Sequence, residues 1–104
     1  MSILRGLALI LVVLALPMTA KAYTVKGSVE CPDIVREDAN EDFRPSNQWW
    51  VLGYITARNY EEDADVGLDI DNDKIYAMGL DFCRRNSASD WDDAAIQIYD
   101  SMSN

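Results

Sequence analysis

The chain has 104 residues, with 18 acidic and nine basic residues, no histidine, two cysteines and a formal net charge of −9 at pH 7. So acidic a chain is a poor partner for nucleic acid and for anionic membrane surfaces, which select basic proteins. Because histidine is absent and both cysteines are expected in a disulfide, the usual nucleophile and base combinations are missing. We therefore expect neither an enzyme nor a cofactor.

Residues 1–22 show the three-part pattern of a secretory signal peptide. Arg5 supplies the positive charge, residues 6–16 are apolar without interruption, and Ala20-Lys21-Ala22 supplies small residues for cleavage after Ala22. An uncleaved membrane anchor is the alternative, but the apolar run is short for a span and is followed by a cleavage site. We expect export to the periplasm and no membrane attachment after cleavage.

The predicted mature chain, residues 23–104, is expected to form one domain. At this size a single hydrophobic core is marginal, so a covalent crosslink adds needed stability. Cys31 and Cys83 both lie in this part, and in an oxidising compartment a disulfide between them is the expected state. Loss of Arg5 and Lys21 leaves seven basic against 18 acidic residues, a net charge of −11 that favours a cationic partner.

A short helix is predicted over residues 31–39, with Pro32 at its first position, where the missing N–H costs nothing. A connector follows. Within it, Pro45 is expected to bias Arg44 away from helical geometry.

The next predicted helix covers residues 46–60, with Ser46 as its N-cap. Its aromatic and β-branched residues would also suit a buried strand. No charged residue occurs in the nine positions that begin at Trp49. One interpretation makes Trp49, Trp50 and Tyr54 the core of a small helical domain. The other gives part of this apolar helix to a dimer or client interface. The two interpretations overlap, because one face can be core and another interface.

An acidic loop is predicted over residues 61–73 and is a place to look for a metal. Three of its carboxylates alternate as the first ligands of a calcium loop do: Asp69, Asp71 and Asp73. The sixth position of the motif is Lys74 instead of glycine, and the twelfth is Leu80 instead of glutamate. We therefore predict a solvated loop and no metal.

Two further helices are predicted. The first begins near Lys74 and ends at Asn86 and Ser87, with a buried stripe of Ile75, Met78, Gly79, Phe82 and Cys83. The second is capped by Ser89, with Asp92 in a capping-box position. Its apolar stripe is Trp91, Ala94, Ala95, Ile98 and Met102. Together the elements predict an all-α fold, a small disulfide-linked bundle of three to four helices.

A signal peptide, an early cysteine, a central Trp-Trp-Val-Leu-Gly-Tyr helix, the run Phe-Cys-Arg-Arg-Asn at residues 82–86 and the run Trp-Asp-Asp-Ala-Ala at residues 91–95 occur in this order. This pattern resembles the HdeA/HdeB family of small periplasmic proteins. The resemblance implies an all-helical fold with two helices tied by Cys31 and Cys83. It also implies an acid-stress chaperone, a dimer at neutral pH that dissociates at low pH and binds unfolding clients through apolar surface.

The charge pattern is compatible with that mechanism. Protonating every carboxylate changes the net charge of residues 23–104 from −11 to about +7, which weakens folded or dimeric forms. The predicted client and dimer surface consists of Trp49, Trp50, Leu52, Tyr54 and Ile55. The predicted partners are unfolded periplasmic clients or a second copy of the chain, and Trp50→Ser is expected to lower protection in acid.

A rival prediction from another class comes from a likeness to the Rap/Tai immunity proteins, which neutralise cell-wall-degrading toxins delivered by type VI secretion. Under this prediction, the protein binds a single toxin tightly at neutral pH, where its net charge of −11 attracts a basic partner. A structural periplasmic domain with neither activity is the third alternative.

Overall fold

The computed structural model describes residues 23–104, and the predicted signal peptide at residues 1–22 lies outside them. The described part contains four helices and no strand. The helices are α1 Cys31–Glu37, α2 Arg44–Glu62, α3 Asn72–Arg85 and α4 Trp91–Met102. The predicted all-α, disulfide-linked bundle is therefore confirmed.

A disulfide joins Cys31 at the start of α1 to Cys83 near the end of α3. Both cysteines are buried. The chain before α1 is held close to the start of α4, since Trp91 N–H donates to the Val29 carbonyl oxygen at 2.7 Å and Cys31 N–H donates to that of Ser89 at 3.0 Å. The predicted disulfide is thus confirmed, and it fixes α1 to the rest of the bundle.

Helix α2 begins at Arg44, two residues before the predicted N-cap Ser46. The expectation that Pro45 keeps Arg44 out of the helix is wrong. Pro45 occupies the first turn, where a backbone N–H would have no acceptor inside the helix, so a proline is tolerated there.

Helix α4 is capped one residue later than predicted. Asp93 N–H donates to Asp90 Oδ1 at 3.0 Å, and Asp90 N–H donates to Asp93 Oδ2 at 3.3 Å, which together form the capping box. The predicted pair, Ser89 and Asp92, does not form it. This register places Trp91 at the first helical position and directs its side chain into the bundle.

Trp91 is the centre of the core. Its ring is fully buried against Gly79 of α3 and forms a T-shaped pair with the Tyr76 ring, with the ring centroids 5.9 Å apart. Its Nε1–H donates to the Asn47 carbonyl oxygen at 2.8 Å and so ties α4 to α2. The other buried apolar residues are Cys31, Ile34, Val51, Ile55, Ile75, Tyr76, Leu80, Cys83, Ala94, Ala95, Ile98 and Tyr99.

The buried face of α3 is rotated from the predicted stripe. Tyr76 and Leu80 are buried, whereas the predicted Met78 and Phe82 are only partly covered. Tyr76 can turn inward because its hydroxyl finds an acceptor: it donates to Asp38 Oδ1 at 2.8 Å, just after α1. A buried tyrosine normally needs such a partner.

Replacing Tyr76 by phenylalanine is expected to lower the free energy of unfolding at pH 7 by about 1 kcal/mol, since the hydrogen bond to Asp38 is lost. Burial and that hydrogen bond raise the pKa of Tyr76 above its ordinary value of 10. Tyr76 therefore ionises at a lower pH in the unfolded chain than in the folded protein. Its contribution to the free energy of unfolding is complete below about pH 10 and falls progressively as the pH rises above that value. The variant should lose less stability than the unaltered protein between about pH 7 and 11.

Urea unfolding at both pH values measures the difference. Tyr60→Phe, at a tyrosine that is almost fully exposed, is the matched control and should leave both values unchanged. An equal alkaline loss in the Tyr76→Phe variant and the unaltered protein would contradict the assignment.

Candidate protein-binding surface

Helix α2 is buried along one face only. Asn47, Val51 and Ile55, spaced four residues apart, are its buried residues and face the rest of the bundle. Trp49 is 68% exposed and Tyr60 is 89% exposed. The uncharged run therefore contributes a narrow stripe to the core and leaves large apolar side chains outside it.

Two adjoining depressions flank this outer face. The first follows α2 from Trp49 to Tyr60, and the second lies between α2 and residues 64–68 of the following loop. Trp49, Leu52 and Thr56 line both, so the depressions form one surface. We call it the apolar groove, defined by Trp49, Leu52, Gly53, Thr56, Tyr60 and Leu68.

The five residues predicted as a client and dimer surface do not lie together. Trp49 and Leu52 line the apolar groove. Ile55 also lines the depression beside residues 64–68, but it is only 5% exposed and belongs mainly to the core. Trp50 and Tyr54 are partly buried and stack on each other with ring centroids 6.2 Å apart and planes 13° apart.

Trp50 is held by the segment before α1. Its Nε1–H donates to the Lys26 carbonyl oxygen at 2.9 Å, and its ring lies close to Gly27. Because its polar atom is satisfied and its ring is partly covered, Trp50 is a less accessible contact residue than its neighbour Trp49.

Arg58, near the C-terminal end of α2, connects this helix to α4. Its guanidinium carbon lies 3.9 Å from the Tyr99 ring centroid, and its nitrogens contact Glu62 at 2.9 Å and Asp100 at 3.2 Å. Burial opposes its charge, but the hydrogen bonds from Arg58 to Glu62, Tyr54 and Asp100 outweigh it and raise the pKa of Arg58. Arg58 therefore stays charged and is engaged within the bundle.

The groove is bordered by carboxylates. Glu61 and Asp65 line it, and three more precede or follow lining residues directly in the chain: Asp63, Asp69 and Asp71. Within residues 23–104 none of these five lies within ion-pair distance of a basic side chain. We call them the acidic rim.

Asn59 positions the loop that carries this rim, a role the sequence did not reveal. Its Nδ2–H donates to the Val66 carbonyl oxygen at 3.0 Å, and its Oδ1 accepts from Val66 N–H at 2.9 Å and from the Tyr99 hydroxyl at 3.0 Å. The Asn59 amide group thus forms two hydrogen bonds with the backbone of Val66, one as donor and one as acceptor. It fixes one wall of the apolar groove.

Carboxylates cluster at the start of α4, not in the acidic loop. Within residues 23–104, the group of three whose oxygens lie within 4.8 Å of one another is Asp90, Asp92 and Asp93, at the start of α4. Asp90 and Asp93 form the capping box there. Helix capping explains this cluster, and we assign no metal to it.

No protein-family model, curated protein or solved structure matches the chain. The family resemblance therefore stays a prediction. Among the helices of residues 23–104, none has the length and apolar character needed to cross a membrane.

Proposed function

We propose that the protein is a periplasmic holdase that binds unfolding proteins during acid stress. One observation carries the proposal: Trp49 and Tyr60 are exposed on the outer face of α2, with the partly buried Leu52 between them, and form an uncharged strip in an otherwise acidic chain. Large apolar side chains that the bundle does not cover can bury themselves against the apolar residues of a client.

Acid supplies the trigger in this proposal. Model carboxylic acids ionise near pH 4, so at pH 2 to 3 residues 23–104 approach a net charge of about +7. A protonated carboxyl group no longer forms an ion pair, so the ion pairs of Arg58, including the one with Asp100 that links α2 to α4, weaken in acid. Each exposed ion pair contributes little alone, but the positive charges then repel one another throughout the chain. Loosening α2 would add Val51 and Ile55 to the apolar surface.

Light scattering of an acid-sensitive periplasmic client tests the proposal. The unaltered protein is expected to suppress aggregation at pH 2 to 3. Trp49→Ser should need about tenfold more protein for the same suppression, because it removes more than about 1.4 kcal/mol of apolar burial. Trp50→Ser should reduce suppression less than Trp49→Ser does, provided that both variants are folded at pH 7, because Trp50 is partly covered.

Phe43→Ser is the matched control, because Phe43 is also an exposed aromatic residue, 51% exposed, but does not line the groove. Circular dichroism at pH 7 verifies that each variant is folded before acidification. No suppression by the unaltered protein at low pH would contradict the holdase function. If the Phe43→Ser and Trp49→Ser variants lost the same amount of aggregation suppression, the groove would not be the client-binding surface.

A second candidate function is that of an immunity protein that binds one toxin. The observation that favours it is that Trp49 and Tyr60 are exposed on the folded chain, so the surface needs no acid to open. This candidate expects a stoichiometric complex at pH 7, where the acidic rim is charged.

A further inference from the structure

We propose that the apolar groove is the docking site for a basic amphipathic helical segment of a partner protein, and that it binds this segment at neutral pH. The inference stands apart from the holdase proposal, because it concerns the folded protein with its carboxylates ionised. It specifies the chemistry of the ligand for this one surface.

Exposed apolar side chains are concentrated on the apolar groove. Within residues 23–104 five large apolar residues are exposed, and three of them, Trp49, Tyr60 and Leu68, lie on the apolar groove. Leu68 is 74% exposed although the loop that carries it is fixed through Asn59. Tryptophan and tyrosine are the residues that most often dominate binding energy at protein interfaces. The groove therefore has anchors for an apolar stripe.

Negative charge borders those anchors. The acidic rim has five carboxylates, and residues 61–73 contain no basic residue. Arg58, the next basic residue back along α2, is already paired with Glu62 and Asp100. An apolar ligand alone would leave the rim without counter-charges, whereas lysine or arginine beside its apolar stripe would complement it.

The same charges argue against a second copy of the chain as the occupant. Two copies facing each other through this groove would bring two acidic rims together. Residues 23–104 also have a net charge of −11, from seven basic and 18 acidic residues. Like charges placed opposite each other cost several kcal/mol at an interface, by the general behaviour of charged surfaces.

The dimensions suit a helix. Trp49 and Tyr60 are 11 residues apart on α2, which corresponds to about 16 Å, or three helical turns. Gly53, between them, has open space beside it, since a Cβ there would meet no atom within 4 Å. A partner backbone can approach closely at that point. Helices recognised in grooves present apolar residues at positions i, i+3 or i+4 and i+7, a span of about 10 Å that fits within this length.

The test uses three synthetic peptides of about 14 residues with the same helical apolar stripe of leucine and tryptophan. One has lysine and arginine beside the stripe, the second has glutamate there, and the third has the basic composition with the stripe scrambled. Fluorescence anisotropy at pH 7 is expected to show one-to-one binding of the basic striped peptide only. Trp49→Ser should weaken it by about 30-fold and Phe43→Ser by less than about twofold.

Asp65→Asn and Asp69→Asn together should reduce affinity and its dependence on salt, which separates the rim from the apolar anchors. No binding of the basic striped peptide, or equal binding of the glutamate peptide, overturns the inference. A dimer at pH 7 that Trp49→Ser dissociates also overturns it, because a second copy would then occupy the groove. None of these outcomes depends on holdase activity at low pH.

Discussion

Removal of the disulfide by replacing Cys31 and Cys83 with alanine is expected to lower the free energy of unfolding by about 4 kcal/mol. The bond closes a loop with a sequence separation of 52 residues, and opening it restores conformational entropy to the unfolded chain. An 82-residue domain has a total stability of roughly 4 to 12 kcal/mol, so the loss is a third of it or more. Alanine avoids adding a hydroxyl group to a buried site without a partner.

Urea unfolding followed by circular dichroism measures this loss. Each single alanine variant should cost nearly as much as the double variant, because the bond needs both sulfurs. Reductant should destabilise the unaltered protein and leave the double variant unchanged. If reductant has no effect on the unaltered protein, the disulfide contributes nothing to stability, and α1 is held by the burial of Ile34 and its neighbours alone.

The register of α4 shows where sequence reasoning reached its limit. The run Ser-Asp-Trp-Asp-Asp at residues 89–93 contains two overlapping capping boxes, Ser89 with Asp92 and Asp90 with Asp93. Local chemistry favours both. The structure forms the second, in which Trp91 starts the helix and enters the core against Gly79. Tertiary packing decides such a choice, although the presence of the helix was predictable from the run of capping residues before it and from its apolar period.

The candidate surface was predictable only in part. Because α2 is apolar almost all round, its period cannot tell whether Trp49 or its neighbour Trp50 faces outward. That depends on the Lys26 carbonyl oxygen, 24 residues before Trp50 in the chain, which accepts the Trp50 Nε1–H. The groove also needs a loop held by Asn59, whose acceptor and donor partners lie seven and 40 residues away. The periodicity of apolar residues within one helix carries no information about partners so far away in the chain.

The proposed functions share one surface and differ in the protonation state that binds. At pH 7 the acidic rim is charged, which favours a basic partner on the apolar groove. At pH 2 to 3 that attraction is gone, and only the apolar residues remain to hold a client. A salt-sensitive complex at neutral pH and salt-tolerant suppression of aggregation in acid would therefore be separate properties of Trp49 and its neighbours.

Replacing glycine by alanine is expected to change the free energy of unfolding in opposite directions at two helical positions. At Gly79, an added Cβ would lie 2.6 Å from Cη2 and 2.8 Å from Cζ3 of the Trp91 ring. Trp91 is fully buried and cannot move aside freely. Gly79→Ala is therefore expected to lower the free energy of unfolding by about 1 to 3 kcal/mol, the usual cost of overpacking a core.

Gly53→Ala is the matched control on α2. A Cβ at Gly53 meets nothing within 4 Å, and alanine is favoured over glycine inside a helix by about 0.5 to 1 kcal/mol. This variant should therefore be more stable than the unaltered protein by that amount. Both variants gain the same helix propensity, so the difference between them reports the contact with Trp91.

Urea unfolding of the two variants at pH 7 gives that difference, and Trp91→Phe tests its cause. Phenylalanine leaves space where the outer ring of Trp91 lay, so it should cost less stability in the Gly79→Ala protein than in the unaltered one. Equal stabilisation by both glycine substitutions would show that Trp91 does not lie on Gly79. The centre of the core, and with it the outward orientation of Trp49 on α2, would then have to be reassigned.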